Sequence, residues 1–339
     1  MDLNTNERKL ALKMPPNWVP PVPAWSSVFT EDVQQVSMCI IGCQHKDDAD
    51  ISDFIEALNN LSTKADVCDF ATCEDKDGLY QTLATIYWVD GKACADWLDS
   101  DAFALFWELY SDEKWGFGIF REVFNIPFER LETLFSGPIH NHGMSQIRKD
   151  IEGPIEHHGY WGGMRDRIPL SADDAFDTHQ CLDVIEQNGN RIVVGAHENL
   201  CIIRSGQDWT LTKGEQREEY LNQIEPVLKA GMNFLRDEGE EVNCYSCRYM
   251  TQFSPYKGKK ECTFGLAFFR TMADLEAWAE SHPTHLAIFN TFLDIAPKYG
   301  PELQLQLWHE VSVLPAGNQF GEYINCTKGT GLLAGLLSA

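Results

Sequence analysis

One stretch near the end of the chain places a histidine where apolar residues are expected. Residues 303–313 alternate in polarity, which predicts a β-strand with one buried face. His309 shares that face with leucines and valines, while Trp308 and Glu310 fall on the opposite face. An imidazole in apolar surroundings needs a partner for each ring nitrogen.

A second histidine, His285, precedes that strand. The sequence SHPT at residues 281–284 predicts a helix start, with proline in the first turn where its missing N–H is tolerated. His285 then lies on one helical stripe with Ile288, Phe289 and Phe292. A helix and the following strand are therefore each predicted to direct an imidazole into apolar surroundings.

Two interpretations of this histidine pair stay open on the residues alone. A single histidine on an apolar face is usually a core residue whose nitrogens are satisfied by hydrogen bonds. Two such histidines in adjoining elements favour a shared ligand, either a metal ion or a large planar cofactor held between them. His285 and His309 are the candidate ligands.

Composition limits the possible partners. The 339 residues include 27 Lys and Arg against 51 Asp and Glu, a formal net charge of −24. Nucleic acids and anionic membranes need a basic surface, so neither is expected as a partner. No apolar run is long enough to span a membrane, and the N-terminus lacks the features of a secretory leader, so we expect a cytoplasmic protein.

The 11 cysteines are scattered and mostly embedded in apolar segments, which predicts free thiols and no disulfide framework. Cys244 and Cys247 form one CxxC pair. A structural zinc site needs further ligands at suitable spacing, so zinc is not expected there. Arg248 stands where a covalent haem motif would need histidine.

The two halves of the chain repeat a pattern of strand, helix, strand, strand, helix, strand. The elements are predicted near residues 34–44, 50–63, 66–73, 82–89, 92–110 and 116–126, then near 191–205, 213–238, 242–253, 262–270, 272–298 and 303–313, with a last strand near 319–326. Antiparallel sheets with helices on their outer faces are the simplest arrangement of such units. We expect an α+β fold built from tandem repeats.

This duplication divides the chain into four parts. We predict an irregular proline-rich segment at 1–33, a first repeat at 34–139, a connecting segment at 140–190 that contributes to the site, and a second repeat at 191–339 that carries the cofactor. The first-repeat counterparts of His285 and His309 fall near Ala104 and at Arg121. The histidine pair is therefore confined to one repeat, as a single site would be.

Two further segments contain residue types that suit a site. Residues 156–167, EHHGYWGGMRDR, combine histidines, aromatics, glycines and arginines, although a turn-rich linker with a charge cluster has the same composition. Ser205 ends the strand that begins near Cys201, a position where serine is usually a turn residue.

Five motifs together resemble the aldoxime dehydratases, haem-containing enzymes that convert aldoximes to nitriles. They occur in the family's order, and the similarity extends from about residue 17 to near the C-terminus. The motifs are HGYWGGMRDR (158–167), RSGQDW (204–209), SHPTH (281–285), LWHEVSV (307–313) and EYINC (322–326).

The resemblance implies a role for each matched position. His285 would be the axial ligand of a non-covalent ferrous haem b, and His309 the distal acid–base residue. Arg167 and Ser205 would bind the oxime hydroxyl, and Phe292 would help to wall the pocket. The implied fold is a dimeric barrel of ferredoxin-like repeats, related to chlorite dismutases and dye-decolourising peroxidases, so a homodimer and a small aldoxime substrate are expected.

Three other functions remain open on the sequence. One is a different haem reaction on the same fold, such as that of a peroxidase or a chlorite dismutase. A second is haem binding or carriage without catalysis, which would not need Arg167 and Ser205 near His309. The third is a cofactor-free α+β barrel in which both histidines are core residues.

Overall fold

The computed structural model of this chain describes residues 8–30, 32–317 and 319–337. The strands in that part of the chain are β1 (Ser26–Val28), β2 (Gln35–His45), β3 (Val67–Glu74), β4 (Tyr80–Trp88), β5 (Gly118–Pro127), β6 (Leu131–Phe135), β7 (Asp150–Glu152), β8 (Asp183–Asn188), β9 (Arg191–Gly195), β10 (Leu200–Asp208), β11 (Cys244–Ser254), β12 (Gly258–Phe269), β13 (Gln306–Leu314) and β14 (Phe320–Ile324).

The helices in the same part of the chain are α1 (Ser52–Leu61), α2 (Gly91–Leu98), α3 (Asp101–Tyr110), α4 (Gly163–Arg167), α5 (Gly214–Glu219), α6 (Glu225–Asp237), α7 (Met272–Ser281) and α8 (Pro283–Tyr299). A π-helical turn, Tyr220–Ile224, joins α5 to α6. None of the described helices is both long and apolar enough to cross a membrane.

Twelve of the described strands form one antiparallel sheet, in the order β6-β13-β10-β12-β11-β3-β4-β2-β5-β14-β9-β8. The first half contributes β5-β2-β4-β3 and the second contributes β13-β10-β12-β11, so corresponding strands occupy corresponding places. The halves join where β3 pairs with β11, from Thr72↔Thr251 to Phe70↔Phe253. A large antiparallel sheet with helices is thus confirmed.

Hydrophobic clusters show how this sheet is layered. One cluster combines side chains from both halves, including Phe120, Phe124, Phe264, Phe268 and Trp308, so the halves pack face to face. On the outer faces, α1–α3 cover the first half and α6–α8 cover the second. Strands covered on both sides are expected to be continuously apolar, which explains segments such as residues 36–43 in β2.

The same layering corrects the prediction for the strand that carries His309. Residues 303–305 precede β13, and Trp308, Glu310 and Ser312 are buried on the face that alternation assigned to solvent. The alternation in the sequence correctly separated the two faces of β13. It did not show that the Trp308 face packs against the other half of the molecule. His309 itself lies on the more open face and is 19% exposed.

Most predicted elements agree with the described ones to within a few residues. The single strand predicted at 191–205 is two strands, β9 and β10, and Ser205 lies within β10 and not at its end. The segment predicted as one helix at 92–110 is two helices, because Ser100 caps α3 and its side chain accepts a hydrogen bond from Phe103 N. The segment 272–298 also divides, at His282, which caps α8 as the SHPT motif predicts. Strand β6 was not predicted, and it carries a residue of the site.

Two buried charge networks cross the interface between the halves. Arg248 from β11 donates to both carboxylate oxygens of Glu122 in β5, at 2.7 and 2.8 Å. Arg204 from β10 donates to Tyr87 Oη at 2.8 Å, and Tyr87 donates to Glu310 in β13. Buried charges need such partners, so these contacts fix the register of β10 and β13.

The N-terminal segment covers the loop that precedes α4. Asp166 accepts hydrogen bonds from the backbone N–H groups of Lys13 and Met14 and from Tyr160 Oη. The Trp18 indole donates to His158 O at 2.9 Å. These contacts hold the loop and its short helix α4 in place against the sheet.

Candidate active site

His285 lies in the first turn of α8. Its Nδ1 is 2.7 Å from Ala279 O. Because a carbonyl oxygen can only accept, Nδ1 carries the proton, and Nε2 is left with a free lone pair. A histidine that ligates a metal is usually oriented in this way, through a hydrogen bond from its other nitrogen.

The surroundings of His285 are aromatic. The Trp278 ring lies edge-on at 4.7 Å from the imidazole, and the Trp161 ring lies at 6.0 Å. Trp161 also contacts Phe289, one turn further along α8, with ring centroids 5.0 Å apart. Side chains from the connecting loop, α7 and α8 therefore surround the ligand position.

Much of the apolar stripe of helix α8 is only partly covered by other residues. Of its 17 residues, Ile295 and Ala296 are the buried ones. Ile288, Phe289 and Phe292 are only partly covered, although they lie on the same stripe as His285. Such a surface suits a large planar apolar group.

Burial lowers the pKa of His285, although the hydrogen bond to Ala279 O acts in the opposite direction. A charge on His309 also acts to lower the pKa of His285. Near neutral pH, His285 is therefore an uncharged imidazole with a lone pair on Nε2.

His309 lies on β13 between two neighbouring strands. Its register partners are Ser205 on β10 and Leu134 on β6. Directly opposite residues in an antiparallel pair direct their side chains to the same face. Ser205 and His309 therefore project together, away from the interface between the halves.

Arg167, the last residue of α4, connects the loop to this strand. Its NH2 group is 3.0 Å from His309 Nε2, its Nε donates to Glu132 Oε2 at 2.7 Å, and its NH1 donates to His157 O at 2.7 Å. The guanidinium group is thus held on three sides, with a fixed orientation toward the imidazole.

Glu132 on β6 is the site residue that sequence reasoning missed. Its Oε1 lies 2.9 Å from His309 Nε2, within hydrogen-bond distance, and has no other partner among the described residues. Burial would raise the pKa of this carboxyl group, but Arg167 and His309 outweigh burial and hold it below its usual value. The carboxylate therefore stays charged, and its Oε1 can accept a hydrogen bond from His309 Nε2 when that nitrogen carries a proton.

The other two predicted residues differ in their relation to this cluster. The Ser205 hydroxyl is partly exposed and makes no side-chain hydrogen bond to any residue in the described part of the chain. Phe292, two turns beyond His285, packs against a separate cluster that includes Trp209 and Tyr220. The structure thus brings Arg167, Ser205 and His309 together, with Phe292 at the margin.

These donors fit a haem. The required features are a neutral imidazole with a free nitrogen, an apolar helix face beside it and polar groups that can act on a bound substrate. His285 provides the first, the partly covered stripe of α8 the second, and the cluster of Arg167, Glu132 and His309 the third.

A cavity of about 910 Å³ lies elsewhere, around Arg121, Arg191 and the β8–β9 hairpin. Its lining includes none of the five predicted site residues. It is also open and faces an ion-pair network centred on Glu322. We therefore assign the chemistry to the histidine cluster and not to this cavity.

The haem-containing dehydratase family model matches residues 39–332. The aliphatic aldoxime dehydratase of Rhodococcus erythropolis is 35% identical over 335 residues, covering 96% of this chain and 94% of that protein. The enzyme of the same name from Pseudomonas chlororaphis gives the same identity and coverage. The phenylacetaldoxime dehydratase of Bacillus sp. (strain OxB-1) is 32% identical, covering 94% and 93% of the two chains.

Solved structures give the same result. A crystal structure of an aldoxime dehydratase in complex with butyraldoxime superposes with a TM-score of 0.91 at 35% identity, covering 96% of this chain and 93% of that one. A second crystal structure of an aldoxime dehydratase also gives a TM-score of 0.91 at 35% identity, with coverages of 96% and 95%.

Proposed function

This chain belongs to the haem-containing dehydratase family, and from that premise we propose that it dehydrates aldoximes, R–CH=N–OH, to nitriles and water. The family predicted from the motifs is confirmed. The observation that carries the proposal is the linked group of Glu132, Arg167 and His309 beside the free Ser205 hydroxyl. The loop that ends in Arg167 also places Trp161 against His285.

We assign the haem ligand to Nε2 of His285, with Phe289 and Phe292 along the apolar edge. A haem held there would supply an electron-rich iron to the reaction that breaks the N–O bond. The proposed form is a non-covalent ferrous haem b. Cys244 and Cys247 are both buried and are followed by Arg248, so they do not provide a covalent attachment motif.

His309 is the proposed acid–base residue. Breaking the N–O bond releases hydroxide, a poor leaving group, so an acid must protonate the departing oxygen. The Nδ1 atom of His309 has no hydrogen-bond partner among the described residues and is the ring nitrogen free to exchange a proton. The same imidazole then takes the proton from the oxime carbon, so the products are R–C≡N and water and the residue is regenerated.

Glu132 and Arg167 prepare His309 for both steps. The Glu132 carboxylate lies where it accepts a hydrogen bond from Nε2–H in both the protonated and the neutral imidazole, which leaves Nδ1 as the nitrogen that gives and takes the proton. The Arg167 guanidinium, held by the same carboxylate, lies 3.0 Å from that Nε2. The positive charge of Arg167 also stabilises the developing negative charge on the oxygen. Ser205 offers a hydroxyl that can orient the substrate O–H group.

The wider organisation is part of the proposal. The shared strand order of the two halves supports tandem ferredoxin-like repeats, with the segments 1–33, 34–139, 140–190 and 191–339 as the corresponding parts.

Strand β8 is the last strand of the sheet, and Val184 and Ile185 on it are exposed. An exposed apolar edge strand supports a homodimer. The 11 unpaired thiols favour a reducing location, the cytoplasm.

The experiment compares His309→Ala with His179→Ala under anaerobic, reducing conditions. His179 is an exposed residue outside the site and serves as the matched control. We expect His309→Ala to keep its haem but to lose nitrile formation by about 10²–10⁴-fold, the usual contribution of a general acid–base group. Normal turnover by haem-replete His309→Ala would contradict the assignment.

A further inference from the structure

A second cluster of ligand-type side chains lies on the opposite side of the same strands. His142, Asp208 and Cys262 each offer one atom to a common space, and those atoms all lie within 4.8 Å of one another. The His142 Nε2 atom is 3.1 Å from Asp208 Oδ2, and its Nδ1 is 4.0 Å from Cys262 Sγ. We propose that these three residues bind a divalent transition-metal ion, with zinc as the best match.

The strand register separates this cluster from the haem side. Asp208 and Cys262 are direct partners across β10 and β12, so they share a face. Asp208 is three residues from Ser205 on β10, which places the two side chains on opposite faces of the sheet. The proposed metal site therefore faces the interface between the halves and stands independently of the proposed dehydration.

His142 is held in a defined orientation. Its ring stacks on the Trp308 indole, with centroids 5.8 Å apart and planes at 6°. The indole in turn lies across Gly206, where a Cβ would be 2.2 Å from Trp308 Cε2. A fixed imidazole loses little freedom on binding an ion, which favours a preformed site.

A neighbouring histidine adds an independent observation. His140 is 1% exposed, and its ring centroid lies 6.2 Å from that of His142. Its Nδ1 has no hydrogen-bond partner in the part of the chain that the structure describes. A buried polar nitrogen without a partner is unfavourable unless an ion or water satisfies it. This arrangement is expected beside a site that holds an ion.

The donor set indicates the kind of ion. A thiolate, an imidazole and a carboxylate together match zinc, and three protein ligands leave a fourth position for water. Burial raises the pKa of the Cys262 thiol, as do the charges of Asp208 and Asp69, although Arg204 and Lys260 act against them. On coordination, the S–H bond breaks and its proton is released to solvent while the Zn–S bond forms. Asp208 and His142 are partly exposed, so the ion has a route from solvent.

The test uses the haem-loaded protein, dialysed against Zn²⁺ and then against metal-free buffer. Bound zinc is measured by mass spectrometry, and its ligands by X-ray absorption at the zinc edge, where iron does not interfere. We expect one zinc per chain in the wild type, with one sulfur at about 2.3 Å and N/O ligands at about 2.0–2.2 Å.

The variants distinguish this site from adventitious binding. Cys262→Ser and Asp208→Asn should each reduce retained zinc at least about tenfold. Cys181→Ser, which removes an exposed thiol, should retain the full amount. The haem spectrum of each variant reports whether it has folded, and Asp208→Asn decides the question if Cys262→Ser does not fold. Three results would each overturn the proposal. They are a wild-type protein that retains no zinc, a zinc-edge X-ray absorption spectrum that shows no sulfur ligand, and an Asp208→Asn variant that retains as much zinc as the wild type.

Discussion

Glu132 Oε1 lies 2.9 Å from His309 Nε2, on a strand next to the one that carries the histidine. The carboxylate is buried, and its other oxygen accepts from Arg167. The proposed acid–base residue thus has a fixed negative partner and a fixed positive partner.

Glu132→Gln keeps the shape of the side chain but removes its charge. We expect turnover to fall by about 10–100-fold, the range for losing a partner that orients a functional histidine. The unpaired Arg167 should also lower the free energy of unfolding by about 3 kcal/mol. Steady-state kinetics and denaturant unfolding measure the two effects, and equal values for variant and wild type would contradict the role.

The stability difference between wild type and Glu132→Gln should depend on pH. The folded-state pKa of Glu132 is below its usual value, so its stabilisation is fully present above the ordinary carboxyl pKa of about 4.3. It is lost as the pH falls through the lower, folded-state pKa. We therefore expect the difference to shrink as the pH falls below about 4, as measured by unfolding at each pH. A difference that grew between about pH 4 and pH 3 would contradict this sign.

Removing the His285 side chain should release the haem. In His285→Gly, no other described group replaces Nε2, because the surrounding side chains are Trp278, Trp161 and Phe289. Added imidazole should restore haem binding by filling the space. Haem content by absorbance measures both effects, and full haem content in His285→Gly without imidazole would exclude this residue as the ligand.

Ser205→Ala should weaken catalysis without affecting haem. The loss of one hydrogen bond to a substrate hydroxyl is about 0.5–1.5 kcal/mol, which is roughly two- to tenfold in kcat/KM. Ser254→Ala, in β11 and outside the site, is the matched control. If the two variants had the same kcat/KM, the Ser205 hydroxyl would have no role in the reaction.

Gly206→Ala should destabilise the fold. The added Cβ would lie 2.2 Å from the Trp308 indole, which is itself buried between the halves, so the indole must move. Overpacking of this kind lowers stability by about 1–3 kcal/mol. Gly137→Ala, whose nearest neighbour would be 3.6 Å away, should be nearly neutral. Thermal unfolding compares them, and equal midpoints would show that the indole adjusts freely.

Local patterns in the sequence predicted much of this arrangement. Proline after His282 marked the start of α8, and alternation placed His309 on its strand, because capping and strand periodicity depend on near neighbours. The roles of Arg167 and Ser205 came from motif resemblance and not from spacing. Glu132 has no such local mark. Its place beside His309 depends on β6 pairing with a strand more than 170 residues later. The second face of β13 is buried by packing against the other half of the molecule, which is also a long-range contact.

Aldoxime dehydration by this chain is tested most directly by an anaerobic visible spectrum of the haem-loaded, dithionite-reduced protein. The spectrum is recorded before and after an aldoxime is added, and the product is analysed by chromatography. Phenylacetaldoxime and butyraldoxime are suitable trial substrates. We expect the haem absorption band to shift on addition and the corresponding nitrile to form. A haem band that neither shifts nor yields nitrile with either substrate would contradict aldoxime dehydration by this chain.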